Sequence, residues 1–324
     1  MLPIAIDVMS GDRGPGERIA GVVQALLADP ELAVLLTGQA DAIDTQLRAH
    51  PQGLRSRIGI VAASQVVAMD TPPRVAIRGG RDSSMRVAIN LVGEGRAAAC
   101  VSAGNTGALT AMSHYVLKTV AQVERPAIIS AIPSEAGHTL MLDLGANIRA
   151  SAIQLLQFAT MGAVVARELS AIVAPRVGLL NIGEEDIKGH DTVRAAHALL
   201  LQSPLNYIGF VEGDHIFSER VDVVVTDGFT GNVALKTMEG AAGLIARPVL
   251  RRVAAGIDPG RYNGACMVGL GGIVVKSHGR ANGVAFSRAI ATAALAARRG
   301  LTEHIAQALQ ATAVARQAAA KQSA

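Results

Sequence analysis

Short apolar runs recur along this 324-residue chain, most of them followed by a glycine-bearing polar turn and then a helical pattern. The runs are Ile4–Val8, Ala33–Leu36, Ile58–Val61, Ala98–Val101, Thr139–Leu142, Val177–Leu180, Tyr207–Val211, Val221–Val225 and Ile273–Val275, with Ile128–Ile132 as a further candidate. Several are apolar without alternation, as strands covered on both faces are. Helical patterns such as Ser83–Gly93, Ile153–Leu169 and Thr192–Leu201 lie between them. Alternating β and α units predict an α/β fold, with a mostly parallel sheet and helices on both sides. No strong linker, repeat or low-complexity block divides the chain, so one α/β domain over residues 1–324 is expected.

Half the residues are apolar, enough for a sizeable core. Thirty Lys and Arg against 26 Asp and Glu leave a formal charge of +4, too weak to argue for nucleic acid. Aromatic residues make up 2% and Trp is absent, so there is little on which to stack bases. Cys100 and Cys266 are the only cysteines, which excludes a disulfide framework and a Cys-rich zinc site. The uncharged stretch from Ala97 to Leu117 is broken by Ser102, Asn105, Thr106 and glycines, and reads as strand, loop and helix rather than a membrane span. Met1 to Ile4 enter a strand at once, so a cytoplasmic protein without a signal peptide is expected.

In open α/β sheets, ligands bind beyond the carboxyl ends of the strands. Those ends here carry Met9–Gly16, Ser102–Gly107, Asp143–Asn147, Asn181–Glu185, Glu212–Asp214, Asp227–Asn232 and Lys276–Gly279. Glycine lets backbone N–H groups approach a ligand, and a helix N-terminus favours anions. Ser102, Gly104, Asn105 and Thr106 therefore form the best candidate phosphate cradle, with a helical pattern directly behind them. Asn105 and Asn232 stand just after a glycine and Asn147 two residues after one, each before a helical pattern, so each also fits a simple N-cap. His278 and Lys276 share the last strand-end turn; for His278 a site role is favoured over packing, and Lys276 either pairs with an anion or is an ordinary surface lysine. Glu184, Glu185 and Asp186 resemble a metal cluster but fit a solvated helix start better. Cys100 reads as a small core residue, and nothing around Cys266 argues for reactivity.

Several familiar chemistries are disfavoured. There is no G-x-x-x-x-G-K-[ST], no G-x-G-x-x-G after the first strand, no G-x-S-x-G and no H-E-x-x-H. The second strand ends in Thr37-Gly38 without the acid expected to hold a ribose.

The ordered set of segments resembles one family. The set comprises Ile4–Asp7 with Gly11-Asp12 and Gly14-Pro15, Asp82–Ala88, Val101–Ala108, Leu142–Asn147, Arg176–Glu185 with Lys188-Gly189, Val211–Gly213, Val221–Asn232 and Lys276–Gly279. It is similar to the bacterial phosphate acyltransferase family PlsX, acyl-acyl-carrier-protein:phosphate acyltransferases of phospholipid synthesis, from about residue 4 to about residue 300. The resemblance implies a Rossmann-like three-layer α/β/α fold, like isopropylmalate dehydrogenase and phosphotransacetylase, without a nucleotide. It implies a homodimer needing no cofactor and no metal. The implied reaction moves a fatty acyl group from acyl carrier protein to inorganic phosphate, and a membrane glycerol-3-phosphate acyltransferase then uses the acyl phosphate.

Ser10 stands where that family usually has glycine, and the stretch 240–264 is shorter than usual. Family members carry amphipathic helices there, linked to dimerisation and reversible membrane contact. Residues 240–265 are thus a candidate subdomain or dimerisation region, and Leu244–Val253, with Arg247, Arg251, Arg252 and the interrupting Pro248, is a weak interfacial signal. For catalysis, strand-end position assigns phosphate to Ser102, Gly104, Asn105 and Thr106, with Lys276 offsetting its charge. His278 and Asn181 would donate to the oxyanion or protonate the thiol, and Asp143 and Asp227 would orient donors. Arg74, Arg78, Arg81 and Arg86 would dock the acidic carrier. The alternatives are a phosphate acetyl- or butyryltransferase using acyl-coenzyme A, a metal- and nicotinamide-dependent decarboxylating dehydrogenase, and a non-catalytic membrane scaffold.

Overall fold

The computed structural model describes residues 1–50, 52–249 and 263–322. The chain divides into two compact units, Met1–Pro126 with Tyr262–Gln307, and Ala127–Arg261 with Ala308–Ala324. Of the 240–265 region, residues 250–262 lie outside the described residues, and so do Arg251, Arg252 and Val253 of the interfacial segment.

The first unit contains β1 (Ile4–Asp7), α1 (Gly14–Ala28), β2 (Val34–Gly38), α2 (Ala40–Leu47), β3 (Ile58–Ala62), α3 (Pro73–Gly79), α4 (Ser84–Gly93), β4 (Ala99–Ser102) and α5 (Thr106–Leu117). Its strand order is β3-β2-β1-β4, and the chain returns to it late, adding β11 beside β4 and β10 at the end. These strands are parallel except β10, which runs against β11. The apolar runs become strands because both faces are covered: Ile4, Ile6, Leu36 and Val101 are all fully buried. α4 starts where Ser83 accepts the Arg86 N–H.

The second unit contains β5 (Ala127–Ser134), β6 (Gly137–Leu142), α6 (Ala152–Ser170), β7 (Val177–Leu180), α7 (Asp191–Leu201), β8 (Tyr207–Val211), β9 (Val223–Val225) and α8 (Gly228–Val249). Its order is β5-β6-β9-β7-β8, parallel except for the β5–β6 hairpin. α6 begins at a full capping box, with Ser151 and Gln154 each holding the other's backbone N–H. The chain then supplies β10 (Ala265–Val268), β11 (Ile273–Lys276) and α9 (Gly283–Arg298) to the first unit, and ends in α10 (Leu301–Gln322).

The α/β class and the mostly parallel pairing are as expected. β10, a four-residue strand before a glycine-rich turn, is absent from the sequence reading. Two of the three asparagine caps are corrected. Asn105 caps α5 by accepting the Ala108 N–H at 2.9 Å. No helix opens at Asn147, because α6 waits for Ser151, and Asn232 lies inside α8, which starts at Gly228. Glu184 to Asp186 are not a helix start either; α7 begins at Asp191.

One ion pair ties β7 to the segment before β9. Arg176 grips Asp222 through Nε at 3.0 Å and Nη2 at 2.9 Å, and its backbone N–H adds a third bond at 2.7 Å. Burial pushes the Asp222 carboxyl up, but these donors outweigh it and hold it below its ordinary value. A depressed folded-state pKa gives stability that is present above the unfolded carboxylate range and lost as pH falls through the folded value. Asp222→Asn should therefore cost about 1–2 kcal/mol near neutral pH. In urea titrations the gap to wild type should close once the pH drops below the usual carboxylate range. A gap that is constant from pH 7 to pH 3 would exclude this account.

Candidate functional site

In the first unit, strand register sets Asp7, Ser102 and Lys276 in one row at the carboxyl ends of β1, β4 and β11. Ser102 Oγ donates to Asp7 Oδ2 at 2.7 Å and accepts the Gly104 N–H at 3.1 Å. Both side chains are fully buried, and Asp7 Oδ1 and Ser10 Oγ are buried with no hydrogen-bond partner among the described residues. A Cβ on Gly104 would force Met85 Cε to move and press on Ser10. Asn105 Nδ2 donates to the Met69 carbonyl at 2.5 Å and the Thr71 carbonyl at 3.3 Å. The Ser102 hydroxyl, the Gly104 N–H and the Asn105 amide are thus engaged inside the protein, where they hold the turn in shape.

Thr106 and Gly107, the first two residues of α5, are solvent-exposed. Their N–H groups have no intrahelical acceptor, as at every helix start. Lys276 Nζ donates to the Ser277 carbonyl. His278 is exposed; its Nδ1 accepts the Arg280 N–H at 3.1 Å, and its own N–H goes to Asn263 Oδ1 at 2.9 Å. Arg18 is fully buried and donates to the carbonyls of Ser10, Gly279 and Ala281, tying the turn after β1 to the turn after β11. Asp7, Arg18 and Asn263 are the supporting residues that sequence reasoning missed. Their partners are distant in the chain, and no local pattern announces them.

Asn181, Asp143 and Asp227 belong to the second unit. Asp143 is a fully buried carboxylate that accepts five bonds. Oδ1 takes the N–H groups of Ile128, Gly145 and Ala146 at 3.0–3.2 Å. Oδ2 takes the backbone N–H and side-chain amide of Asn147 at 2.7 and 2.9 Å. Burial pushes its pKa up while the N–H donors pull the other way. Asp227 is the cap of α8, accepting the Thr230 N–H at 2.8 Å.

The start of α8 lies directly on the Asp143 loop. The Gly228 N–H donates to the Asn147 carbonyl at 2.8 Å, and Asn232 Nδ2 reaches the Leu144 carbonyl at 3.2 Å. A Cβ on Gly231 would collide with the Asp143 carbonyl oxygen, so only glycine fits. Asn181 follows β7, whose Leu179 pairs with Val225 of β9, placing it beside Asp227. Its Nδ2 is buried without a hydrogen-bond partner among the described residues. Lys188, on the same loop, is an exposed cation to which the sequence reading gives no role.

Arg74, Arg78 and Arg81 are exposed on and beside α3. Arg86 is half-buried, donates to Asn90 at 2.9 Å and lies 5.0 Å from the Tyr115 ring centroid; Lys118 Nζ lies 5.0 Å from the same centroid. The four arginines therefore belong to one region that also includes α5.

Cys100 and Cys266 are both buried, and burial pushes the Cys266 thiol up to about 12 and the Cys100 thiol further still. Neither is a thiolate nucleophile near neutral pH. Among the described residues no group of three His, Cys, Asp or Glu side chains is placed to hold a metal ion. No helix among them is long and apolar enough to cross a membrane.

The α/β fold is shared with proteins of known structure. A phosphotransacetylase from Streptococcus pyogenes superimposes with a TM-score of 0.63 at 17% identity, covering 92% of this chain and 94% of that one. A branched-chain phosphotransacylase from Enterococcus faecalis gives 0.59 at 14% identity, covering 91% and 99%. At such identities the likeness speaks to the fold. The sequence relatives go further. The family model described as "Fatty acid synthesis protein" matches residues 2–247 and 242–304. The phosphate acyltransferase of Alkalilimnicola ehrlichii is 50% identical, covering 95% of this chain and 96% of its own. That of Pseudomonas syringae is 48% identical, covering 93% and 95%. The chain belongs to the phosphate acyltransferase family and is an acyltransferase enzyme.

Proposed function

We propose that this enzyme transfers a fatty acyl group, reversibly, from acyl carrier protein to inorganic phosphate. The products are acyl phosphate and the free carrier thiol, and the acyl phosphate feeds phosphatidic acid synthesis. The reading is carried by the turn at 102–107, where Ser102 and Asn105 are held from behind while Thr106 and Gly107 at the start of α5 stay exposed. Such an array suits a phosphate, because the donors are preorganised and the helix dipole favours an anion.

The chemistry needs no covalent acyl-enzyme. Phosphate carries a substantial dianionic fraction near neutral pH, so it needs no general base to become a nucleophile. Its oxygen attacks the thioester carbonyl, the C–S bond breaks, and sulfur leaves as a thiolate that then takes a proton. The enzyme's task is to position the anion and to stabilise the developing oxyanion. Thr106 and Gly107 N–H groups hold phosphate, with Ser102, Gly104 and Asn105 shaping the turn. Lys276 offsets the charge, Asn181 donates to the oxyanion, and His278 passes to sulfur the proton that the hydrogen phosphate gives up on acylation. Asp143 and Asp227 act by fixing the loops around them. The enzyme works as a cytoplasmic homodimer whose product passes to a membrane glycerol-3-phosphate acyltransferase.

The deciding assay mixes purified protein, a long-chain acyl-acyl carrier protein and phosphate. Free thiol and hydroxylamine-trappable acyl phosphate should appear one for one, without added metal or nucleotide. Turnover confined to coenzyme A thioesters would overturn the carrier assignment. Thiol release without a trappable product would overturn the phosphate assignment.

Carrier docking makes a separate prediction. Acyl carrier proteins are acidic, and Arg78 and Arg81 are exposed. The double variant Arg78→Glu/Arg81→Glu should raise the KM for carrier thioesters about tenfold at low salt. The effect should fade toward 1 M salt, where the Debye length is about 3 Å. A KM change insensitive to ionic strength would argue against docking at this face.

A further inference from the structure

Singly exposed apolar side chains are ordinary on protein surfaces, whereas grouped ones call for an explanation. In the second unit the grouped ones lie on adjacent strand ends. Ile148 follows the Asp143 loop after β6 and is 76% exposed. Phe229, at the first turn of α8 after β9, is 64% exposed, and Val233 stands one helical turn further on. Ile182 and Ile187, on the loop after β7, are 80% and 82% exposed. The strands run β6-β9-β7 side by side in parallel register, so these loops share the carboxyl edge of the sheet. The bond from the Gly228 N–H to the Asn147 carbonyl places Ile148 beside Phe229. The pairing of Leu179 with Val225 places Ile182 beside the start of α8. By contrast, Val173 and Leu201 are exposed before β7 and β8, at the opposite edge.

A polar feature stands at one end of this strip. Asn181, half-buried with an Nδ2 that has no hydrogen-bond partner among the described residues, immediately precedes Ile182. A ligand matching the pair carries one carbonyl oxygen and an apolar tail. We infer that Ile148, Ile182, Ile187, Phe229 and Val233 form the surface along which the acyl chain of the substrate lies, and that they set its chain-length preference. This deepens the proposed function and rests on it. Two interstrand spacings make the strip about 10 Å wide, so the gain from added methylenes should be steep for short chains and level off for long ones.

The test compares butanoyl and octanoyl thioesters of the carrier in wild type, Ile182→Ser/Ile187→Ser and Phe229→Ser. A fully buried methylene is worth about fourfold in binding and a half-covered one about twofold. The wild-type ratio of kcat/KM, octanoyl over butanoyl, should then be roughly 10 or more. Each variant should cut it severalfold, and the triple variant that combines Ile182→Ser, Ile187→Ser and Phe229→Ser should bring it close to unity. The sites are exposed, so unfolding midpoints should stay at the wild-type value. A second measurement, the affinity for a dansylated undecanoate, needs no turnover and should fall about tenfold in the triple variant.

Absence of acyl phosphate from wild type, with probe binding lost in the variants, would refute the reaction and keep the acyl surface. An unchanged ratio and unchanged probe affinity would overturn the acyl surface and leave the reaction standing. The acyl surface would equally fall if the variants turned a dimer into a monomer, or lost binding to anionic vesicles, with both readouts unchanged.

Discussion

Asp143→Asn should destabilise the second unit by about 3–5 kcal/mol, more than any other single-atom exchange at these strand ends. The carboxylate accepts three N–H groups on one oxygen and two on the other, in a site closed to water. An asparagine keeps one acceptor oxygen but turns the other into a donor. Placed at Oδ2, the new NH2 faces two donors of Asn147; placed at Oδ1, it faces three. Each buried N–H left without an acceptor costs about 1–3 kcal/mol. The damage spreads, because the carbonyl of Asn147 receives the Gly228 N–H that seats α8. Asp227→Ala removes only a helix cap and should cost about 1 kcal/mol. Equilibrium urea unfolding of the two variants separates the roles, and similar losses for both would refute the distinction.

The sequence treats those two aspartates alike, since each stands within two residues of the end of an apolar run and of a glycine. What separates them is the fold. Asp143 receives the N–H of Ile128 from the neighbouring strand of a hairpin, whereas Asp227 bonds only three residues ahead. Strands were legible because both-face burial leaves an unbroken apolar run, and β10 escaped because four residues beside glycines carry too little pattern. The cap at Asn105 was legible because capping is local. Asn147 misled for the same reason: its local pattern suits a cap, but its side chain is drawn back to Asp143. The true start of α6 was written in Ser151 and Gln154, three apart as a capping box requires. Ser102 was legible as a strand-end hydroxyl, but its bond to Asp7, 95 residues away, was not. Strand ends can thus be found from sequence, while the division of their polar groups between holding the loop and meeting a ligand comes from long-range partners.

On the proposed mechanism Asn181 falls on the ligand side of that division, and Asn181→Ala should show it through opposite effects on stability and rate. A buried NH2 group with no partner is a standing cost in the free protein, of about 1–3 kcal/mol before relaxation. Removing it should leave the unfolding free energy unchanged or slightly higher, since no protein bond to that nitrogen is lost. On the proposed mechanism the same nitrogen donates to the oxyanion, and loss of one such donor typically lowers kcat by about 10²–10³. Because the bond tightens as charge develops on oxygen, the loss should appear in kcat more than in KM. Asn181→Asp should do still worse, since it presents an acceptor, and a negative charge, where a donor is needed. A purely structural asparagine behaves otherwise: its removal lowers stability and rate together. Urea titration and single-turnover kinetics on Asn181→Ala distinguish the two, and a destabilised protein with near-normal kcat would remove Asn181 from the mechanism.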